Sequence, residues 1–323
     1  MIRGFTFERA LSWPFTAPHA ATFPWVFGLA YALVFMALIG VTGLLGAGDF
    51  IAWIEALEAA GGNADPDAAL AAFFSGLFKL LPWAGLLGLA SWAVWAMFET
   101  ASQRRYLFGQ TFSLGFGADE LRMMAVGFLW SILGAVLLAV PMILIMGTAV
   151  AAMLAGAIGI TEGEVAQPIL GPMLAAFGMI LLIFPAYVFF ATRLAPCFAL
   201  TVRERKIRFF DAWNVSRGRF WPILGAYVIL AICGGMLGQV IAGIAQLLLV
   251  PAMVSFNGTS QSPDQVAAML TSPGFLAALG FYLFIVLFVQ GVLQHALGGP
   301  AAFAVRHDPR GGLEEENQIE AFN

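Results

Sequence analysis

Seven of the fifteen Lys and Arg residues lie within residues 192–221, a segment that separates two long apolar runs. Cations just outside a membrane attract anionic lipid headgroups, with about 1 kcal/mol per residue near the surface, and aromatic side chains enter the headgroup layer. We call residues 192–221 the elbow. The elbow predicts a lipid- or partner-binding site made of Arg203, Arg205, Lys206, Arg208, Trp213, Arg217, Arg219 and Trp221. The alternative is that these charges only fix the orientation of the chain in the membrane.

Glu99 is an acid near one end of an otherwise apolar run, residues 81–101. A carboxylate at that depth in a bilayer is costly unless it is paired or hydrated. Arg193 lies at the corresponding end of the apolar run 169–192. The sequence therefore predicts a buried ion pair between Glu99 and Arg193, and the alternative is a substrate or proton site at Glu99.

Other residues that could do chemistry are sparse. The histidines are His19, His295 and His307, and none is paired with another at the spacing of metal ligands. The chain contains no GxSxG, HExxH or Walker sequence, so we expect no catalytic residues, no metal and no other cofactor. An enzyme acting on lipid headgroups would require Glu99, Asp211 and His295 to converge.

The apolar runs contain a few amides. Gln290 and Gln294 share a helical face because they are four residues apart. We expect them to hydrogen-bond to Gln239 across a helix interface, which is a common role of amides in membranes. The alternative is that they line a solute pathway.

The composition indicates a chain that spans a membrane. It is 61% hydrophobic and only 11% charged, with a mean hydropathy of +0.88. Six apolar runs are long enough to cross roughly 30 Å of hydrocarbon as helices; they are residues 23–46, 81–101, 126–148, 169–192, 220–246 and 274–297. The predicted fold is all-α, with six transmembrane helices in three hairpins and short interfacial helices, forming one membrane domain over residues 1–305.

The orientation follows from the positive charges. Every Lys and Arg except Lys79 falls on the same side of the six predicted spans. By the positive-inside rule, both termini are cytoplasmic. The final residues, 306–323, are polar and include three consecutive acids from Glu314 to Glu316, which predicts a disordered acidic cytoplasmic tail.

Three smaller features complete the pattern. Residues 1–22 mix aromatic and charged side chains, which predicts a short helix in the membrane interface. The sequence Asp65-Pro66-Asp67 predicts the start of a separate amphipathic helix on the outer face. Mutually consistent shifts of the sequence align Phe23 with Phe128 and Phe128 with Phe220, which predicts three repeated units of an interfacial helix and a hairpin.

The elbow also carries a resemblance. Its motif residues are Arg193-x-x-Pro196, Glu204, Asp211-Ala212-Trp213 and Ser216-Arg217-Gly218-Arg219-Phe220-Trp221. In these residues and in its six-span layout, the chain resembles uncharacterised bacterial membrane proteins of the YciC type, similar to the membrane domain of some glycerophosphodiester phosphodiesterases. The resemblance implies an all-helical domain of the bacterial inner membrane that is connected with lipids. The phosphodiesterase domain has no counterpart here, so no activity is implied.

These observations predict a non-catalytic protein of the inner membrane. Its expected partners are membrane lipids, mainly anionic ones, or a larger membrane complex of which it is an accessory or assembly subunit; no nucleic-acid partner is expected. The alternative is a transporter or flippase-like protein for an apolar or amphipathic solute. Polar residues converging from the second, fifth and sixth spans would favour this alternative.

Overall fold

The structure is a computed structural model that describes residues 5–17, 20–61, 66–157, 162–250 and 272–308. Its secondary structure is helical, with no strand in these ranges. The helices are α1 (Phe7–Thr16), α2 (Phe23–Gly61), α3 (Pro66–Phe108), α4 (Ala118–Ala157), α5 (Glu162–Leu194), α6 (Cys197–Glu204), α7 (Ala212–Val215), α8 (Phe220–Gln246) and α9 (Pro273–Arg306), with a 3₁₀ turn at Leu247–Leu249.

Six of the described helices are long and apolar enough to cross a membrane. They correspond in order to the six predicted spans, which confirms an all-α, multi-pass membrane protein. Five of these six helices are longer than the predicted spans, with 39 residues in α2 and 43 in α3, whereas α8 has the predicted bounds. A hydropathy pattern marks only the part of a helix that lies in hydrocarbon, whereas backbone hydrogen bonds continue the helix into polar sequence.

One predicted boundary is wrong. The sequence Asp65-Pro66-Asp67 predicts a separate outer helix, but Pro66 is the first residue of α3, which continues without a break to Phe108. Proline at the first position of a helix is favourable because its missing N–H has no partner there. The predicted start of a helix at Pro66 is therefore correct, but the predicted break between this helix and the second span does not occur.

Local sequence also accounts for where α1 and α9 begin. The Thr6 side chain accepts a hydrogen bond from the backbone N–H of Arg9 at the start of α1. At the start of α9, Ser272 accepts one from Phe275, and Pro273 occupies the first helical position. Caps of this kind satisfy N–H groups that have no partner within the helix.

The chain divides into two compact units. The first comprises residues 1–40, 90–124 and 194–323, and the second comprises residues 41–89 and 125–193. The first unit holds the main buried cluster: Ala17, Ala96, Tyr106, Leu107, Met123, Ala199, Leu200, Val202, Val215, Ile223, Ala302, Ala304 and Val305. In the second unit the indole N–H of Trp83 donates to Asp49 at 2.7 Å. Many of its apolar side chains, among them Leu44, Val136 and Leu182, are exposed, as lipid-facing residues are.

The predicted N-terminal helix exists, and it packs closely inside the first unit. Phe5 and Trp13 contact the ring of Phe303 on α9, with centroids 5.4 and 5.2 Å away. Two glycines allow α1 to approach. A Cβ added at Gly225 would lie 3.0 Å from the ring of Phe7, and one at Gly299 would lie 2.5 Å from Cγ of Pro14.

The close approach at Gly299 predicts a specific defect. In Gly299→Ala, the new methyl group meets a rigid proline ring, so α1 must move or α9 must bend. We expect the free energy of unfolding to fall by about 1–3 kcal/mol, the usual effect of overpacking, with faster amide hydrogen exchange in residues 5–17. Gly280→Ala on the same helix is the matched control, because a Cβ there meets nothing within 4 Å. Equal exchange in the two variants would contradict the docking of α1.

The described helices do not fully test two of the predictions, the disordered tail and the threefold repeat. The disordered tail was predicted for residues 306–323, but Arg306 is the last residue of α9 and Asp308 is buried; the remainder of this segment lies outside the described residues. The threefold repeat stays a prediction: short helices precede α2 and α8, whereas residues 109–117, which precede α4, are not helical.

Candidate functional site

The elbow contains α6, a turn, and the short helix α7, all in the first unit. Its cations do not all point the same way. Arg203 has only 11% of its side chain exposed, and its Nη1 donates to the carbonyl oxygen of Val305 at 2.9 Å. Its Nη2 is 3.0 Å from Glu204 and 3.9 Å from Asp308.

Arg219 has a similar position at the other end of the elbow. Its guanidinium donates to the carbonyl oxygen of Ala304 at 2.9 Å and to that of His307, and it lies over the ring of Phe5. The last carbonyls of a helix have no partner within the helix and carry a partial negative charge. Arg203 and Arg219 therefore bind the C-terminal end of α9 from a segment that is distant in sequence. We call these two residues the inward arginines.

Two further arginines of the first unit bind backbone carbonyls at a helix end or just beyond it. Arg306, in the last turn of α9, donates to the carbonyl oxygen of Leu107 at 2.9 Å. Arg105 donates to the carbonyl oxygens of Gly109 and Gln110 at 2.7 and 3.0 Å. Cations at helix C-termini are stabilising, so much of the positive charge of this unit holds helix ends in place.

Arg208 is held by acids of the elbow itself. Its guanidinium lies 2.8 Å from Asp211 and 2.7 Å from Glu204. The hydrogen bond to Asp211 and the charge of Glu204 raise the pKa of Arg208 above its ordinary value. Its charge is thus balanced locally.

The remaining cations of the predicted site are exposed: Arg205, Lys206 and Arg217. We call these three the outward cations. Large apolar side chains are exposed on the same segment, with Phe210 and Trp221 each 76% exposed and Trp213 37% exposed. The segment joins two candidate spans, one ending at Glu204 and the next beginning at Phe220. Cations beside exposed aromatic residues at this position fit the headgroup layer of a membrane.

The backbone turns sharply at the first outward cation. Arg205 ends α6 in the left-handed conformation, with φ of 51°. This conformation costs roughly 1–2 kcal/mol for a residue other than glycine. Glycine would be less costly at this helix end.

Glu99 lies on α3 in the first unit and is buried. Its Oε1 accepts from Nε2 of Gln103 at 2.7 Å, and its Oε2 accepts from Nε2 of Gln294 on α9 at 3.2 Å. Gln294 was expected to bind Gln239; instead, Gln239 and Gln290 are both exposed. The sequence reasoning missed Gln103, although its spacing of four residues from Glu99 places both on one helical face.

Arg193, the partner predicted for Glu99, belongs to the second unit. Its guanidinium lies 5.5 Å from the ring centroid of Phe189. The ion pair between Glu99 and Arg193 would join the two units, and it stays a prediction.

A second buried group lies beside the Glu99 cluster. The ring of His295 stacks on Tyr106, with centroids 4.6 Å apart and planes 5° from parallel, and its Nδ1 is 2.7 Å from Oγ of Ser102. The hydroxyl of Tyr106 donates to the backbone carbonyl of His295 at 2.9 Å. These contacts fix α3 against α9. Asp211 does not join them, because its carboxylate is half exposed and bound to Arg208.

Among the described residues, no three His, Cys, Asp or Glu side chains are grouped so that they could hold a metal ion. His19 lies outside those residues.

No protein family, curated protein or solved structure matches the chain. What the fold defines is the class: a multi-pass membrane protein with six helices long and apolar enough to span.

Proposed function

We propose that the protein is a non-catalytic protein of the bacterial inner membrane, with both termini in the cytoplasm, which binds anionic lipids through the outward cations and the exposed aromatic residues beside them. The observation that carries this proposal is the division of the elbow. Arg203 and Arg219 are directed at backbone carbonyls, whereas Arg205, Lys206 and Arg217 are exposed on the same segment as the exposed Trp221 and Phe210.

The division argues against a purely topological role for the elbow. A positive-inside signal needs only the presence of Lys and Arg near a span. It does not require that three of them be exposed on a segment that also exposes large aromatic side chains. Lipid binding accounts for the exposed cations and aromatic residues, because phosphate groups are bound by cations and the headgroup layer accommodates tryptophan.

The orientation is supported by where the cations lie. Apart from Arg193, the described cations that the positive-inside rule assigns to the cytoplasm all belong to the first unit, and Lys79 belongs to the second. This is the distribution expected if the loops of the first unit face one side of the membrane. A cysteine-accessibility measurement at Lys206→Cys and Lys79→Cys in cells tests it, with opposite accessibility expected.

The lipid-binding proposal predicts a large loss of affinity. In the triple variant Arg205→Gln, Lys206→Gln, Arg217→Gln, three surface cations disappear without any inward contact being touched. At about 1 kcal/mol per cation, the apparent dissociation constant for phosphatidylglycerol is expected to rise roughly a hundredfold. Titration of phosphatidylglycerol into the detergent-solubilised protein, followed by tryptophan fluorescence, measures it. Binding of phosphatidylcholine, which has no net charge, should change little.

Lys79→Gln is the matched control, because Lys79 is exposed but belongs to the other unit. It should bind phosphatidylglycerol like the unmodified protein. If the triple variant also does so, the outward cations do not bind lipid, and the elbow serves topology alone.

Two other functions stay as candidates. An accessory subunit would use the same exposed aromatic surface against a protein, and it would be recovered from membranes with a stoichiometric partner. A transporter or flippase-like protein is favoured by one observation, the convergence of Glu99 on α3 with Gln294 on α9. Gln239 on α8 does not join them, so only two of the three spans expected to converge do so.

A further inference from the structure

The carboxylate of Glu99 is buried without a positive partner in its own unit. Only 7% of the residue is exposed, and it lies inside a candidate span. Both oxygens accept hydrogen bonds from neutral amides, those of Gln103 and Gln294. Within the described part of the first unit, no Lys, Arg or His side chain forms an ion pair with it.

The other ionisable groups around Glu99 cannot supply the missing charge. Ionisable side chains near it include Tyr31 on α2, Tyr106 on α3, Cys197 on α6 and Tyr227 on α8. A phenol or a thiol is neutral or negative, never positive. The ring of His295 is directed to Ser102. An uncompensated charge in such surroundings costs several kcal/mol, so a counter-charge is required from outside the side chains of this unit.

Unused oxygen atoms lie on the same turn of α3. Oε1 of Gln103 is buried and has no hydrogen-bond partner, and the residue is only 1% exposed. The hydroxyl of Thr100, next to Glu99 in sequence, is likewise buried and unpartnered. The Nε2 atom of Gln103 contacts the carboxylate at 2.7 Å. A 180° rotation of the side-chain amide exchanges its nitrogen and oxygen, so that Oε1 faces Glu99 instead. The amide oxygen is the partner that a cation on the carboxylate needs.

We propose that Glu99 and Gln103 form a binding site for one monovalent cation, closed on the α9 side by Gln294. Carboxylate, amide and hydroxyl oxygens are the donors preferred by hard cations. A single positive charge neutralises Glu99, whereas a divalent ion would leave a net charge buried. The charge has two possible sources: an alkali-metal ion, which needs both the carboxylate and the amide oxygen, or a proton, which bonds to the carboxylate alone. The proposal is independent of lipid binding by the elbow.

Thermal unfolding of the full chain in lipid nanodiscs tests the site. Sodium, potassium and N-methylglucamine chlorides are compared at equal ionic strength, since the organic cation is too large for the site. If an alkali ion supplies the charge, the unfolding midpoint rises in its presence by at least about 3 °C. If a proton supplies it, the midpoint is equal in the three salts and rises as the pH is lowered, because the folded state then takes up a proton that the unfolded state releases.

Glu99→Gln removes the charge while keeping the shape of the side chain. Its midpoint should depend on neither the salt nor this pH step, and it should be no lower than that of the unmodified protein in N-methylglucamine. Glu8→Gln, which removes an exposed acid, should keep the full dependence. The proposal is overturned if the unfolding midpoint of the unmodified protein depends on neither salt nor pH. It is also overturned if the midpoint of Glu99→Gln depends on them as strongly as that of the unmodified protein. If the midpoint of the unmodified protein is insensitive to salt and pH but that of Arg193→Gln is sensitive, Arg193 is the counter-charge of Glu99.

Discussion

Arg219→Gln is expected to lower the free energy of unfolding by about 3 kcal/mol, because two hydrogen bonds from a charged donor to carbonyls at the end of α9 are lost. The cation over the ring of Phe5 is lost with them. Denaturant unfolding in a mild detergent, followed by tryptophan fluorescence, measures the change. Arg217→Gln is the matched control: it lies two residues earlier and is exposed, so its effect should stay within about 0.5 kcal/mol.

The conservative change at the same position separates charge from geometry. Arg219→Lys keeps the positive charge but cannot reach the carbonyls of Ala304 and His307 together, because a single ammonium lacks the planar fork of a guanidinium. We expect a loss between those of the glutamine variant and the control. If Arg219→Gln proves as stable as Arg217→Gln, the inward arginines do not hold α9.

Tyr106→Ala is expected to cause the largest loss among single truncations, about 3–5 kcal/mol, as for other fully buried aromatic residues. Tyr106 is 1% exposed, stacks on His295 and donates its hydroxyl to the carbonyl of that residue. The alanine variant therefore removes both packing and a hydrogen bond between α3 and α9. The same unfolding measurement applies, and the midpoint should shift with little change in slope if folding remains cooperative.

Two further variants make this result specific. Tyr106→Phe keeps the ring and removes only the hydroxyl, so about 1 kcal/mol is expected. Phe281→Ala truncates an aromatic residue of α9 that is 52% exposed, and its effect should be small because lipid replaces the contact. A Tyr106→Ala protein no less stable than Phe281→Ala would mean that the stack on His295 does not join the two helices.

Composition and hydropathy were sufficient for the architecture. Six runs that match the thickness of a bilayer can only be helices, and all six helices are present at the predicted places. The lengths of α2 and α3 were not predictable in this way, since their ends outside the hydrocarbon carry no hydropathy signal. The same limitation produced the wrong break between an outer helix and α3.

The division of the elbow could not be predicted from its residue types. Arg203 and Arg217 look alike in a sequence, but one donates to a carbonyl of Val305 and the other is exposed. Every residue offers a backbone carbonyl, so a pattern of side chains does not mark which ones an arginine will reach. Glu99 illustrates the same difficulty. A buried carboxylate requires a partner, and the sequence predicted a cation for Glu99. Its partners on α3 and α9 are instead the side-chain amides of glutamines.

The central claim is that the elbow has two sets of cations with different tasks. Native mass spectrometry of the protein released from nanodiscs of phosphatidylglycerol and phosphatidylcholine tests it most directly. The triple variant of Arg205, Lys206 and Arg217 to glutamine should emerge folded without retained phosphatidylglycerol. The double variant Arg203→Lys, Arg219→Lys should retain it like the unmodified protein, although it is less stable. Equal retention in both variants, or loss only in the double variant, would contradict the account.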